Sequence, residues 1–228
     1  MDSEKTYQWK KMIWIGFLAS VVTVLLGELP IGWTVYPEAD NEIVSMLLGC
    51  RDLSLLQLAF GVLFGAVGIG FQAYGFEGVA RIVSSGGSAK AGKLIHWGAV
   101  ATGLLGGVVH ILCVALMFVC KMVDMQNGAA IPQSVWDFTL YLVMPVCVVF
   151  MPVYYAMCIA MLLAVGKGKT VFPRWAAVLN PLTATVVLNA LPLFAPNTPV
   201  VNALNMANMG IGSLLTFGGM LLLLKKQK

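Results

Sequence analysis

The sequence predicts an all-α membrane protein, a bundle of six transmembrane helices, from three observations. Hydrophobic residues make up 59% of the 228 residues and charged residues only 11%, whereas an ordinary soluble domain is about 25% charged. Six apolar stretches are each long enough to cross a bilayer as a helix, which takes about 20 residues. The basic residues gather in every second connection between these stretches, as they do when a chain crosses a membrane repeatedly.

The six predicted spans cover most of the chain and are joined by short connections. They comprise residues 12–35, 54–80, 94–120, 135–165, 172–195 and 199–224. The longest connection, residues 37–53, has 17 residues, which is too short for a folded domain outside the membrane. Residues 1–228 are therefore predicted to form one transmembrane domain. Because the sequence contains neither a Walker loop nor an H-E-x-x-H motif, no cofactor and no metal site are expected.

Local residue choices agree with the first three spans. Trp14 and Trp33 lie near the two ends of the first span, where aromatic side chains favour the membrane interfaces. In the second span, Gly61 and Gly65 form a small-xxx-small pair that lets helix backbones approach closely. The third span is also rich in glycine. We therefore expect tight helix packing in this part of the bundle.

The last three spans carry prolines or a polar stripe. Prolines inside the fourth and fifth spans are Pro145, Pro152, Pro181 and Pro192. Each interior proline removes a backbone donor, so kinks are expected in both helices. In the sixth span, Asn202, Asn205 and Asn208 recur at every third residue, which predicts one polar stripe on that helix.

The distribution of Lys and Arg predicts the orientation. Basic residues lie before the first span, after the second, after the fourth and at the C-terminus: Lys5, Lys10, Lys11, Arg81, Lys90, Lys93, Lys167, Lys169, Arg174, Lys225, Lys226 and Lys228. By the positive-inside rule both termini are predicted to be cytoplasmic, in a multi-pass protein of the cell membrane. The basic residues form no patch with interleaved aromatic residues, so no nucleic-acid partner is expected.

The five cysteines show no metal-binding or redox spacing. Four of them lie inside predicted spans, and only Cys50 lies in a connection. Their arrangement is compatible with one disulfide, between Cys50 and Cys120 on the outer side, and does not decide whether it forms.

Several polar residues are predicted to share one depth in the membrane. Four of them lie 15 to 17 residues from the basic residue that marks the cytoplasmic end of their span, namely Glu28, His110, Asn189 and Asn208. This spacing is a rise of about 22 to 26 Å along a helix. The same count from Lys167 places Tyr154 near this layer, and Asn205 belongs to the same stripe as Asn208. We expect these residues around one cavity in the outer half of the membrane.

A second polar layer lies nearer to the cytoplasmic side and contains Gln72, Glu77, His96 and Asn180. Glu77 and His96 lie within about a turn of basic residues at the interface, where solvation can satisfy them. The outer layer is therefore the preferred site.

Glu28 is expected to face the bundle interior and to have a partner, because an ionisable side chain costs roughly 2.5 to 3.5 kcal/mol at the bilayer centre. His110, at the same depth, is the obvious candidate. Such a pair can share a proton near neutral pH. A structural hydrogen bond between the first and third spans is the alternative.

Motifs spread over most of the chain carry a family resemblance. They are Gly27-Glu28, the run from Gly70-Phe71 through Tyr74-Gly75, His110 after a glycine-rich stretch, the segment Gly168–Trp175, and Asn180-Pro181. Together they resemble a family of small, uncharacterised six-span bacterial membrane proteins. Glu28 stands where the family more often has Asp, and Phe76-Glu77 stands where an aromatic-His pair is expected. The family has no known function, so the resemblance implies only the architecture and the pocket residues.

Two functional interpretations of different class follow. In the first, the protein binds or transports a small or lipid-like molecule, with the outer polar layer as contacts and Tyr154 in the cavity wall. In the second, Glu28 and His110 are the acid–base pair of an intramembrane enzyme that acts on a lipid; no metal triad or nucleophile motif supports it. A structural or partner-binding role is a third interpretation. Membrane lipids are the expected partners, together with a small-molecule or lipid ligand.

Overall fold

A computed structural model describes residues 3–39, 42–123 and 131–225 of the chain. Within these ranges the protein consists of helices and contains no β-strand, so the predicted all-α class is confirmed. Five of the described helices have the length and hydropathy needed to cross a membrane: α1 (Glu4–Gly32), α3 (Leu55–Ser85), α4 (Ala89–Met122), α5 (Gln133–Gly166) and α8 (Asn208–Lys225). Three shorter helices are α2 (Glu42–Gly49), α6 (Pro181–Asn189) and α7 (Pro199–Met206).

Each of the first four long helices contains a π-helical turn. These turns lie at Thr23–Glu28, Gly61–Gly65, Thr102–Gly106 and Thr139–Val143. A π turn inserts one extra residue into an α-helix, and such insertions are frequent at functional sites. Since one residue corresponds to about 100° of rotation in an α-helix, each turn changes which side chains face the bundle interior. Periodicity along the sequence does not reveal these insertions.

Glycine contacts bring α1 directly against α3. A Cβ atom at Gly16 would lie 2.6 Å from the Cα atom of Gly75, and a Cβ atom at Gly27 would lie 2.7 Å from the backbone nitrogen of Gly65. Because the contact on α3 moves to lower residue numbers as α1 advances, the two helices are antiparallel. The small-xxx-small packing predicted for this part of the chain is therefore present at Gly65.

The same argument gives the direction of α8 and of its neighbour α7. A Cβ atom at Gly16 would lie 3.0 Å from the Phe217 ring, and one at Gly32 would lie 2.6 Å from the Cα atom of Ala203. The C-terminal helices therefore run antiparallel to α1. Consequently, the beginning of α1 and the end of α8 lie at the same end of the bundle.

The fifth predicted span, residues 172–195, is shorter and less regular in the structure. It begins with a 3-10 helix at Arg174–Val178, continues as α6 and ends with a 3-10 helix at Leu191–Leu193. Asn180 caps α6, because its Oδ1 accepts a hydrogen bond of 2.9 Å from the Leu182 backbone, and Pro181 supplies the first helical position. The apolar helical part is Pro181–Leu193, about half of the length that was predicted.

The sixth predicted span, residues 199–224, is divided into α7 and α8 by a break at Ala207. The Asn208 side chain contributes to this break, since its Nδ2 atom donates to the Asn205 carbonyl oxygen at 2.6 Å. Asparagine side chains compete in this way with the backbone for hydrogen bonds. The asparagines were predicted to lie along one face of a continuous helix, but in the structure they lie where that helix is interrupted.

Two buried apolar clusters hold the bundle together. The first is centred on Phe76 and Phe217, whose ring centroids are 4.7 Å apart. The second surrounds Leu53 and Val135 near the opposite end of α3 and α4. The cavity between α1, α3, α4, α5 and α8, described below, is lined by residues of both clusters.

All five cysteines are free thiols. Cys50 is buried, and its Sγ atom donates to the Met46 carbonyl oxygen at 3.3 Å. Burial raises the pKa of this thiol to about 12, and the neighbouring Cys120 adds to the effect. Cys50 and Cys120 are therefore neighbours, but they do not form the disulfide with which the sequence was compatible. Cys50 stays protonated near neutral pH.

We predict that Gly16→Ala destabilises the bundle, because the added methyl group would overlap with the backbone of α3. Overpacking of this kind costs about 1 to 3 kcal/mol, so the midpoint of thermal unfolding in detergent micelles should fall. Gly70→Ala is the matched control, since no atom lies within 4 Å of a Cβ atom at Gly70. Its midpoint should stay constant or rise slightly, and an equal fall in both variants would contradict the packing of α1 on α3.

Candidate functional site

A cavity of about 250 Å³ lies between α1, α3, α4, α5 and α8. Its wall is mostly apolar and contains Ile31, Ile69, Val109, Phe150 and four methionines. The polar side chains that line it are Glu28, Gln72, Thr102, His110, Tyr154 and Asn208. An apolar cavity with a few convergent polar groups is the usual form of a small-molecule site.

Three of these polar side chains lack a well-formed hydrogen bond within the protein. Among the residues that the structure describes, three buried side-chain polar atoms have no hydrogen-bond partner of good geometry: Glu28 Oε2, Gln72 Nε2 and Tyr154 Oη. The Glu28 carboxyl group lies beside the backbone of Gly210, and the Tyr154 hydroxyl lies beside Ser213 and Cys158. All three belong to residues that line the cavity, and their exposed fractions are 7%, 4% and 2%. A buried polar atom without a partner costs about 1 to 3 kcal/mol, so three of them in one place require an explanation.

Glu28 reaches the cavity because of two local features. It is the last residue of the π-helical turn in α1, and Gly210 of α8 leaves room for it. The carboxyl group lies against the backbone of Gly210, where any Cβ atom would overlap with Oε2. A larger residue at position 210 would therefore expel the carboxylate from its position.

His110 is placed by the π-helical turn of α3. Its Nε2 atom lies 2.9 Å from the Gly61 carbonyl oxygen, and because a carbonyl only accepts, Nε2 carries the proton of this bond. Gly65 provides the space for the imidazole, since a Cβ atom there would overlap with Nε2. The Gly61 and Gly65 pair, predicted to serve helix packing, thus also holds the histidine.

Glu28 and His110 do not form the hydrogen bond that was expected between them. Both line the cavity, but the imidazole is bonded to Gly61 and Glu28 Oε2 has no partner. The Gly61 carbonyl oxygen at the π-helical turn, and not Glu28, accepts the hydrogen bond of His110. Residue spacing in the sequence does not reveal this acceptor.

The asparagines form a network beside the cavity. Asn208 donates to Asn189 Oδ1 at 3.1 Å, and its own Oδ1 accepts from Thr185 at 3.2 Å. Asn205 donates to the Leu188 carbonyl oxygen at 3.4 Å. Of the three predicted asparagines, only Asn208 lines the cavity. Asn189 and Asn205 lie behind it and tie α6 to the break between α7 and α8.

Gln72 is the main cavity residue that sequence reasoning assigned to another layer. Residue spacing predicts Gln72 in the inner layer with Glu77, but α3 continues past Arg81 to Ser85. Arg81 therefore does not mark the end of this helix, and Gln72 lines the cavity together with Glu28. The cysteines of the cavity wall are also missed by sequence reasoning, because a single cysteine in a span resembles a small apolar residue.

The rest of the inner layer satisfies its own hydrogen bonds. Glu77 lies 2.6 Å from His96 and 2.8 Å from Arg81. Asn180 donates to the Cys158 carbonyl oxygen at 3.0 Å. These residues do not line the cavity. Within the described ranges, no group of three or more His, Cys, Asp or Glu residues is placed to hold a metal ion.

Comparison with known proteins yields one match. The profile of a family of unknown function, DUF6796, matches residues 1–227, which confirms that the chain resembles an uncharacterised family. Searches of curated proteins and of solved structures each find no match.

We predict opposite stability changes when Glu28, which is buried, and Glu77, which is partly buried, are replaced. Glu28→Gln should raise the midpoint of thermal unfolding, because it removes a carboxylate that has one oxygen unpaired in the cavity. Glu77→Gln should lower the midpoint, with a loss of up to about 1 kcal/mol in the free energy of unfolding, because it breaks the ion pairs with Arg81 and His96. Both variants and the wild type are measured in the same detergent after co-purified small molecules and lipids have been removed. A fall for Glu28→Gln as large as that for Glu77→Gln would mean that the Glu28 carboxylate has a structural partner.

Proposed function

The chain belongs to DUF6796, a family of unknown function, and we propose that it binds or transports a small or lipid-like molecule in an intramembrane cavity. The observation that supports this proposal is the convergence of Glu28, Gln72 and Tyr154 on one apolar cavity with their polar atoms unpaired. A ligand that supplies the missing hydrogen bonds removes the cost of burying these atoms. Natural proteins keep such destabilising groups mainly at functional sites.

The chemistry of the three groups defines the polar end of the ligand. A carboxyl group accepts hydrogen bonds and, when protonated, also donates one; an amide nitrogen only donates them, and a phenol does both. The ligand should therefore present a hydroxyl group, which donates and accepts, to Glu28 and an acceptor to Gln72. His110 and Asn208 lie in the same wall and are the next polar contacts.

The apolar wall defines the remainder of the ligand. Phe150 and the methionines offer a surface that adapts to flexible hydrocarbon. Ligand pockets usually measure about 300 to 1,000 Å³, so a cavity of about 250 Å³ suits a small molecule or one end of a lipid. A complete phospholipid exceeds this volume.

We further propose six membrane crossings with both termini in the cytoplasm of a bacterium. The antiparallel contacts of α1 with α3 and with the C-terminal helices support this topology. With these directions, α5 and α8 cross the membrane in the same sense, so the chain has to cross back once between them. Residues 174–193, with α6 as their helical part, provide that return. The basic residues at the shared end of α1 and α8 support its cytoplasmic location. The cavity then lies in the outer half of the membrane.

An intramembrane enzyme is the weaker alternative. A general acid–base pair requires a hydrogen bond or a short water-bridged path to the reacting proton. His110 is engaged with the Gly61 carbonyl oxygen, so its imidazole is not free to take up the proton of a reacting group. The unpaired groups are better suited to hold a molecule than to transform it.

We predict that one molecule co-purifies with the protein through these three groups. Native mass spectrometry in nanodiscs should detect a bound small molecule or lipid in the wild type that is lost in Glu28→Gln, Gln72→Leu and Tyr154→Phe. Gln72→Leu and Tyr154→Phe each remove one complementary hydrogen bond, and Glu28→Gln removes the charge or the acidic proton of the carboxyl group, so affinity should fall about 10-fold or more.

Glu77→Gln is the matched control, because it also replaces a partly buried glutamate but lies outside the cavity. It should retain the molecule at the wild-type level. All variants are compared only as monodisperse, folded protein. The same set of bound molecules in the wild type and in all three cavity variants would falsify the proposed function.

The topology can be tested separately with reporter fusions. A fluorescent protein fused to the C-terminus should fold and fluoresce in bacterial cells, whereas alkaline phosphatase inserted after Pro196 should be active. Both results follow from a cytoplasmic C-terminus and an outer connection between α6 and α7. The reverse pair of results would exclude the proposed orientation.

A further inference from the structure

The cavity wall is rich in sulfur. Six of its 18 residues carry a thiol or thioether: Cys113, Met117, Cys147, Met151, Met206 and Met209. The whole chain has 13 methionines and five cysteines among 228 residues, or about one sulfur residue in 13. One in three around the cavity is a clear enrichment over this background. General packing demand, which applies equally to the rest of the bundle, does not account for it.

Four of these residues form a matching pattern on two facing helices. Cys113 and Met117 are four residues apart on α4, and Cys147 and Met151 are four residues apart on α5. Residues at this spacing lie on one face of a helix, one turn apart. Both pairs line the same cavity, so each helix presents a Cys-x-x-x-Met face to it.

The two thiols meet at the centre of this pattern. The side chains of Cys113 and Cys147 lie next to each other in the cavity wall, where α4 packs against α5. The helices are antiparallel, because Gly98 on α4 abuts Met157 on α5 whereas Gly106 abuts Phe150. Met117 and Met151 therefore lie about one helical turn from the thiol pair along their own helices, on opposite sides of it, and both line the same cavity.

We propose that Cys113 and Cys147, with Met117 and Met151, form a binding site for a monovalent soft metal ion, Cu(I). Thiolate and thioether sulfur atoms are the ligands that select Cu(I) over hard cations. Structural zinc sites instead use four Cys or His ligands in a tetrahedron, and only two cysteines are present here. This site goes beyond the proposed function, since none of its four sulfur residues is among the polar contacts of the organic ligand.

Charge balance also favours a monovalent ion. When Cu(I) binds, one thiol, from either cysteine, loses its proton to solvent, and its thiolate binds the metal together with the two thioethers. The second thiol keeps its proton and donates a hydrogen bond to the thiolate sulfur. The copper–thiolate unit then carries no net charge, which matters in an apolar cavity. The titratable side chains that share this cavity are Glu28, His110 and Tyr154. None of the cavity residues is Lys or Arg, so no fixed positive charge repels the cation.

The test is a copper titration of the purified full-length protein. Under anaerobic, reducing conditions, Cu(I) is titrated against a chromogenic Cu(I) chelator, and X-ray absorption at the copper edge reports the ligand atoms. The wild type should bind one Cu(I) per chain with sulfur neighbours. Because loss of outer contacts alone costs about 10- to 100-fold in metal affinity, Cys113→Ser/Cys147→Ser should weaken binding by at least about 100-fold.

Two further variants separate the site from general effects on folding. Cys50→Ala/Cys120→Ala removes another pair of neighbouring thiols that does not line the cavity, and it should keep the wild-type affinity. Met117→Leu/Met151→Leu preserves volume and should weaken binding by about 10-fold. Failure of the wild type to bind Cu(I), equal affinity in the cavity and control variants, or a copper shell of nitrogen and oxygen only would overturn the proposal. The organic ligand can still be retained in each of these cases.

Discussion

Direct contact between helix backbones at glycine positions organises this bundle. Gly16 and Gly27 of α1 leave no space between this helix and α3, and Gly75 and Gly65 provide the opposing surface. Within a membrane the hydrophobic effect does not press helices together, so van der Waals contact between closely approaching backbones takes its place. The antiparallel order of the helices and the position of the cavity between them both follow from these contacts.

The cavity itself depends on the interruption of regular helices. Glu28 ends one π-helical turn, the carbonyl group that binds His110 belongs to a second, and Thr102 begins a third. In a membrane an exposed backbone carbonyl is costly, so a side chain such as His110 is needed to satisfy it. Polar residues in the spans therefore serve two purposes: some complete the backbone at the interruptions, and others remain unpaired toward the cavity.

This division separates residues that look equivalent in the sequence. Asn205 and Asn208 belong to one stripe, yet Asn205 bonds to the backbone of α6 and only Asn208 reaches the cavity. Glu77 and Glu28 are both glutamates inside apolar spans, but Glu77 has His96 and Arg81 as partners. Depth alone predicted the neighbourhood of Glu28, His110 and Asn208, because rise per residue is nearly constant in a helix.

Composition and hydropathy by themselves indicated an all-α chain whose long helices have the length and apolarity of membrane spans, since the bilayer imposes length and polarity on any helix that crosses it. Only the tertiary structure decided the partners of individual side chains. The sequence paired Glu28 with His110 and placed Gln72 in another layer, whereas the structure leaves Glu28 and Gln72 unpaired in one cavity. The reason is that π-helical turns and helix ends rotate and shift side chains by amounts that residue spacing does not encode.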